Sequence, residues 1–171
     1  MNAVDTGLLL LRIVIGCTFA AHGFNKFFGG GRIPGTARWF DSIGMRPGRM
    51  HAVAAACTEV GSGLLLACGL LTPFAGAAMV AVMLVAAYTV HREAGFFSAK
   101  GGWEYNLALA TVGVVVAITG PGQASLDHAA GIEITGLAGG AIAVVLGLGS
   151  GLGQLVTFFR PPAPAPADAV S

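Results

Sequence analysis

The chain of 171 residues is 55% hydrophobic and only 10% charged, with a mean hydropathy of +0.78; an ordinary soluble domain carries about 25% charged residues. That balance excludes a water-soluble fold, and no break in composition separates two apolar blocks large enough to fold apart. A net charge of +1 leaves no general basic face for nucleic acid, so the expectation is an all-α integral membrane protein whose few charges matter by position.

Five apolar segments follow in order. The first runs from about Thr6 to Phe28, with Asp5 and Thr6 as candidate N-cap and Arg12 as its one early charge, expected to snorkel outward. Its first eleven residues hold no lysine or arginine and no small-residue cleavage site follows, so it reads as a retained span rather than a leader. Between Gly29 and Arg49, a glycine-rich stretch precedes Thr36 to Ile43, where Trp39, Phe40 and Ile43 share one side and Arg38 and Asp41 the other. This predicts a short amphipathic helix in the interface, anchored by Trp39 and Phe40, with an unstructured loop as the alternative.

The second segment, about Met50 to Leu71, carries Glu59 about 13 Å from its start at 1.5 Å of rise per residue. Ala52, Ala56, Glu59 and Gly63 share a face whose small residues admit a neighbouring helix and shield the carboxyl from lipid. After the tight turn Gly69-Leu70-Leu71-Thr72-Pro73, a third segment runs from about Phe74 to Val90 and closes on His91. A polar loop, Ala94 to Gly102, leads to a fourth segment that opens Trp103-Glu104-Tyr105-Asn106, with Trp103 a further interface anchor, and ends near Thr119. Segments three and four are near the lower limit for crossing a hydrocarbon core about 30 Å thick. The fifth, about Ile134 to Phe159, is rich in glycine, which suits close packing in a bilayer better than a helix in water. The expected architecture is a four-helix transmembrane bundle over residues 1–133, an additional fifth transmembrane helix over 134–160 and a disordered Pro/Ala tail over 161–171.

Charge sets the orientation. Lys26, Arg32, Arg38, Arg46, Arg49, Arg92, Lys100 and Arg160 fall on one side of five alternating spans, and Arg12 alone on the other. By the positive-inside rule the N-terminus is external and the C-terminus cytoplasmic. His22, Lys26, His91, Glu104 and Asn106 then lie at the cytoplasmic boundary, with Glu59 in the same half of the bilayer. Ionisable groups at the margin of an apolar span need a partner, a cavity or the interface. A carboxylate beside Lys26 or a protonated imidazole would stay ionised, whereas alone it would take up a proton. Three readings stay open: a binding or proton-handling pocket, a set of pairs that only hold helices in register, and separate interfacial anchors. Cys17, Cys57 and Cys68 lie within apolar segments without Cys-x-x-Cys or metal-ligand spacing, so no metal site is expected. A weak echo links His22-Gly-Phe before Lys26 with His91, Gly95-Phe96-Phe97 and Lys100, each followed by a helix bearing a glutamate, as parallel repeats would be.

Leu11-Arg12 with His22-Gly-x-x-Lys26, Glu59-x-x-Gly-Ser-Gly63, Gly69-Leu-Leu-Thr72, His91 with Gly95-Phe96-Phe97, Gly102-Trp-Glu104-Tyr-Asn106 and Gly120-Pro-Gly-x-x-Ser-Leu-Asp127 together resemble the DoxX family. The resemblance covers roughly residues 6 to 128 and implies a four-span protein of the bacterial plasma (inner) membrane, from which the fifth span and the tail depart. Some relatives are membrane subunits of thiosulfate:quinone oxidoreductases, and one is associated with a superoxide dismutase and a thiosulfate sulfurtransferase in a complex linked to thiol and oxidative stress. The resemblance therefore implies an accessory subunit of an oxidoreductase complex, possessing no recognisable cofactor motif but able to meet a quinone, with Glu59, His22 or His91 passing protons and Lys26 holding an anion. A membrane scaffold or assembly factor with a purely structural polar cluster is the first alternative. A transporter-like protein for small solutes, lipids or quinones is the second, against which stands the scarcity of polar side chains in the outer halves of the segments. Whether any reaction is catalysed is left open.

Overall fold

A computed structural model of the chain describes residues 1–161; the Pro/Ala tail expected from 161 lies, from 162 onward, outside the described residues. The fold is all-helical: α1 (Ala3–Phe28), α2 (Arg32–Ser42), α3 (Gly48–Cys68), α4 (Thr72–Ala86), α5 (Glu104–Thr119), α6 (Leu126–Ala130) and α7 (Gly136–Phe158). A π turn over Ala87–His91 and a 3₁₀ turn over Arg92–Ala94 prolong α4. Among the described residues, four helices are long and apolar enough to cross a membrane: α1, α3, α4 with its extension to Ala94, and α7. The short one is α5, with 16 residues.

Local chemistry sets the helix ends. The N-cap of α1 is Asn2, not Asp5 or Thr6: the Asp5 N–H donates to Asn2 Oδ1 at 2.9 Å and the Asn2 N–H to Asp5 Oδ2 at 3.0 Å, two otherwise orphaned donors satisfied reciprocally. Gly69 ends α3 in the left-handed conformation at φ 63°, which needs no Cβ. The helix expected over Thr36 to Ile43 starts earlier, at Arg32.

Small residues set the packing. α1 lies along α3, and α4 packs along α5 and α7, with α3 and α4 joining the two groups. Where α1 crosses α3, a Cβ on Gly16 would stand 2.5 Å from the Gly63 carbonyl oxygen, so the backbones touch directly. One core cluster gathers Phe19, Leu66, Met79, Leu109 and Val116 from α1, α3, α4 and α5. A second gathers Phe40, Met45, Ala52, Val85 and Leu155. Phe40 is thus not the interface anchor expected of it. It is 8% exposed, because α2 folds over the start of α3 and turns that ring inward, leaving its neighbour Trp39 45% exposed. The end of α7 is tied to the loop between α2 and α3 by a bridge of Met45 with Phe159 and by the Arg160 N–H donating to the Gly44 carbonyl at 2.8 Å.

Candidate functional site

A cavity of about 670 Å³ opens at the end of the bundle where α1 finishes and α3 begins. Of the six residues expected at one site, His22, Lys26, Glu59, His91 and Asn106 line it. α1 contributes His22 and Lys26 at helical spacing, α3 contributes Glu59, the π turn after α4 contributes Thr89, Val90 and His91, and α5 contributes Asn106. A π turn inserts one residue per turn and so re-aims the side chains that follow it. Most of the remaining wall is apolar, with Phe19, Val82, Met83 and Leu109 among it. α1 and α5 both line the cavity yet scarcely touch each other, and each has an exposed lining residue, His22 and Tyr105.

At the heart of the site Lys26 Nζ is ion-paired and hydrogen-bonded to Glu59 Oε2, with side chains 20% and 8% exposed. The pair is possible because Gly23 lets α1 come close: a Cβ there would lie 2.6 Å from the Ala56 carbonyl oxygen and 2.9 Å from Glu59 Cβ. Each charge supplies the counter-ion the other needs away from water. Lys26 therefore already has a counter-ion within the protein. His91 Nδ1 lies 2.6 Å from the Gly101 carbonyl; a carbonyl only accepts, so Nδ1 carries the proton and, in the neutral ring, Nε2 is the acceptor. Asn106 is 5% exposed, and among the described residues its one hydrogen bond runs from Nδ2 to Met83 Sδ at 3.7 Å.

Glu104 does not join the cavity. Its Oε2 accepts from the Ser98 N–H at 3.0 Å and from Ser98 Oγ at 3.1 Å, because the first turn of α5 faces back over the loop that precedes it. Trp103 packs on Phe96, with ring centroids 4.9 Å apart. Among the lining residues that escaped the sequence reading are His51 in the first turns of α3 and Gln154 on α7. Gln154 Nε2 lies 2.9 Å from His51 Nδ1, and the buried imidazole stacks edge-on against Phe158, centroids 5.0 Å apart. The available signal was Gln154 itself, an amide within a glycine-rich apolar helix, where a polar side chain needs a protein partner or a cavity.

The opposite end holds a second polar centre, which corrects two expectations. Arg12 does not snorkel: it is 1% exposed, and its guanidinium donates to the carbonyls of Ala124 at 2.7 Å and Ala67 at 3.3 Å. Nor is that end free of polar side chains. Asp127, 1% exposed, accepts from the N–H groups of Leu71 at 2.7 Å and Thr72 at 2.9 Å and from Thr72 Oγ1 at 2.7 Å. The cation thus sits on the last carbonyls of α3 and the carboxylate on the first N–H groups of α4, each at the helix end whose dipole favours it. Leu71, at φ 50°, is held in an unfavourable left-handed conformation by the Asp127 bond. A Cβ on Gly69 would collide with the guanidinium. Asp5 ties in the remaining loop by accepting from the Gln123 N–H at 3.1 Å.

Apolar helices enclosing a largely apolar cavity with a few convergent polar groups at one end, and clamped by buried charge at the other, define an all-helical membrane protein. The chain belongs to the DoxX family, whose profile matches residues 7–92. It is 35% identical over 126 residues, 74% of this chain and 88% of the relative, to a Bacillus subtilis (strain 168) protein named "Putative oxidoreductase CatD". No solved structure matches the chain.

Proposed function

We propose that this protein is a membrane-embedded accessory subunit of an oxidoreductase complex, contributing the cavity around Lys26 and Glu59 while partner subunits carry the electrons. The observation that carries the reading is the convergence of His22, His91, Asn106 and a neutral ion pair on one cavity of about 670 Å³, a volume suited to a small organic ligand with a few convergent polar groups. The name of the Bacillus subtilis relative supports the oxidoreductase class. A quinone head group fits the apolar wall, and a superoxide dismutase and a thiosulfate sulfurtransferase are the partners the family resemblance suggests.

In this reading α5 is a fifth span, packed between α4 and α7, and α2 lies in the interface with Trp39 facing outward. The membrane is the bacterial plasma membrane, with the cavity on the cytoplasmic side and the N-terminus outside. In support, Arg160 is bonded to Gly44 at the Lys26 end, and the Arg92 guanidinium lies 4.3 Å from the Tyr88 ring centroid and 5.8 Å from that of Phe159. Arg12, buried at the other end, adds no charge to a loop there. Reporter fusions near Gly35 and after Arg160 should both report the cytoplasm; external labelling of a cysteine at position 35 in intact cells would overturn the orientation.

The test of function is purification of the tagged protein from native membranes with identification of what comes with it. Redox subunits should copurify, and Glu59→Gln should lower the activity of the complex without releasing them. The internally satisfied Lys26–Glu59 pair favours a second reading, an assembly scaffold. Cavity variants that leave a fully active complex would establish that one instead.

A further inference from the structure

The cavity also carries information about what it takes. Its two formal charges, Lys26 and Glu59, cancel one another, so a charged guest would find no free counter-ion and would lose its hydration without compensation. Phe19, Val82, Met83 and Leu109 make most of the remaining wall apolar, which suits a guest with an apolar body. Among the described residues, two polar side chains on the wall are left in want of a partner, His51 at its Nε2 and Asn106 at its amide. Asn106 is 5% exposed, lines the cavity and has only a thioether sulfur as its acceptor, although an amide offers two N–H donors and a carbonyl. A buried amide so poorly matched is costly, and a guest oxygen would relieve that cost. His51 Nδ1 meets Gln154 Nε2 at 2.9 Å, which leaves the buried His51 Nε2 as a rival group without a partner.

Resting on the pocket reading above, we propose that the cavity binds an uncharged, lipid-soluble molecule with an apolar body and a carbonyl or hydroxyl oxygen, and that Asn106 is the residue that hydrogen-bonds this oxygen. The amide donates through Nδ2 to a carbonyl; toward a hydroxyl it can also accept through Oδ1. The neutral ion pair and the apolar wall then discriminate against carboxylates of the same shape.

Three probes sharing one ring system test this on the full-length protein in nanodiscs, with binding followed by isothermal titration: 2-acetylnaphthalene, 2-ethylnaphthalene, which lacks the oxygen, and 2-naphthoate, which carries a charge. The acetyl compound should bind about tenfold more tightly than the ethyl compound, the worth of one good hydrogen bond, and naphthoate most weakly. Asn106→Leu should abolish the acetyl preference while leaving the ethyl compound within about twofold of wild type, a result that itself shows the cavity intact; Asn106→Ala serves as the second variant. An acetyl preference that survives both Asn106 variants but disappears in His51→Leu or Gln154→Leu would overturn the assignment of Asn106. Tightest binding of naphthoate would overturn the neutral ligand. Failure of all three probes to bind would overturn the pocket together with this inference, whereas a failure to copurify redox subunits would overturn the oxidoreductase reading and leave this inference standing.

Discussion

The two ends of this bundle handle buried charge in opposite ways. At the Arg12 end the two buried charges serve mainly backbone: the guanidinium caps the close of α3, Asp127 caps the opening of α4, and together they fix a turn too tight to cap itself. At the Lys26 end the charges pair with each other beside empty volume, and an amide is left nearly unpartnered. The same kind of residue is therefore a fold determinant at one end and a candidate binding group at the other. What separates them is whether the buried charges bond the backbone that they cap or pair beside a cavity.

If that distinction is right, the largest stability effect comes from the closed end. Asp127→Ala removes the acceptor of three hydrogen bonds, leaves two N–H groups of α4 unsatisfied and releases Leu71 from its held conformation. A loss of about 3–5 kcal/mol is expected, read as thermal unfolding in detergent, with no selective change in probe affinity. A loss under about 1 kcal/mol would remove the contrast between the ends. Next comes Gly23→Ala, which places a methyl against the Ala56 carbonyl and Glu59 Cβ. Prying α1 from α3 should cost about 1–3 kcal/mol and loosen the ion pair with it, so both stability and binding should fall.

The fold was legible because its signals are cheap to read: apolar segment length and glycine at close crossings both lie in local sequence. The Lys26 end was legible for a related reason, since His22, Lys26 and His91 interrupt or close apolar runs. The Arg12 end was misread because its meaning is non-local. Asp127 serves the N–H groups of Leu71 and Thr72 more than fifty residues earlier, and nothing in the run around Arg12 announces carbonyls from α3 and from Ala124. The motif residues Arg12, Gly69, Thr72 and Asp127 prove to be parts of a single clamp. His51 and Gln154 escaped for the same reason, since their partnership spans 103 positions.

A smaller effect sharpens the open end. Glu59→Gln leaves Lys26 without a counter-ion, but that lysine is 20% exposed and can reach toward water, so the expected cost is about 1–2 kcal/mol, below that of a fully buried pair. Lys26→Met combined with Glu59→Gln should be milder than the sum of the single changes by about 1 kcal/mol. Strictly additive losses in unfolding experiments would mean that the pair contributes no coupling.

The smallest expected effect is the most discriminating, because it falls on a residue that sequence placed in the site and structure places outside it. Glu104 holds the Ser98 N–H and hydroxyl at the surface, where water can replace the lost acceptor, so Glu104→Gln should cost about 0.5–1 kcal/mol of stability. It should leave the affinity for 2-acetylnaphthalene within about twofold, whereas Asn106→Leu, two positions further along the same helix, should lower it about tenfold. Position along α5 cannot account for such a difference; the direction of the side chain can. A comparable loss of affinity in both variants would show that the loop over Ser98 and the cavity respond as one unit.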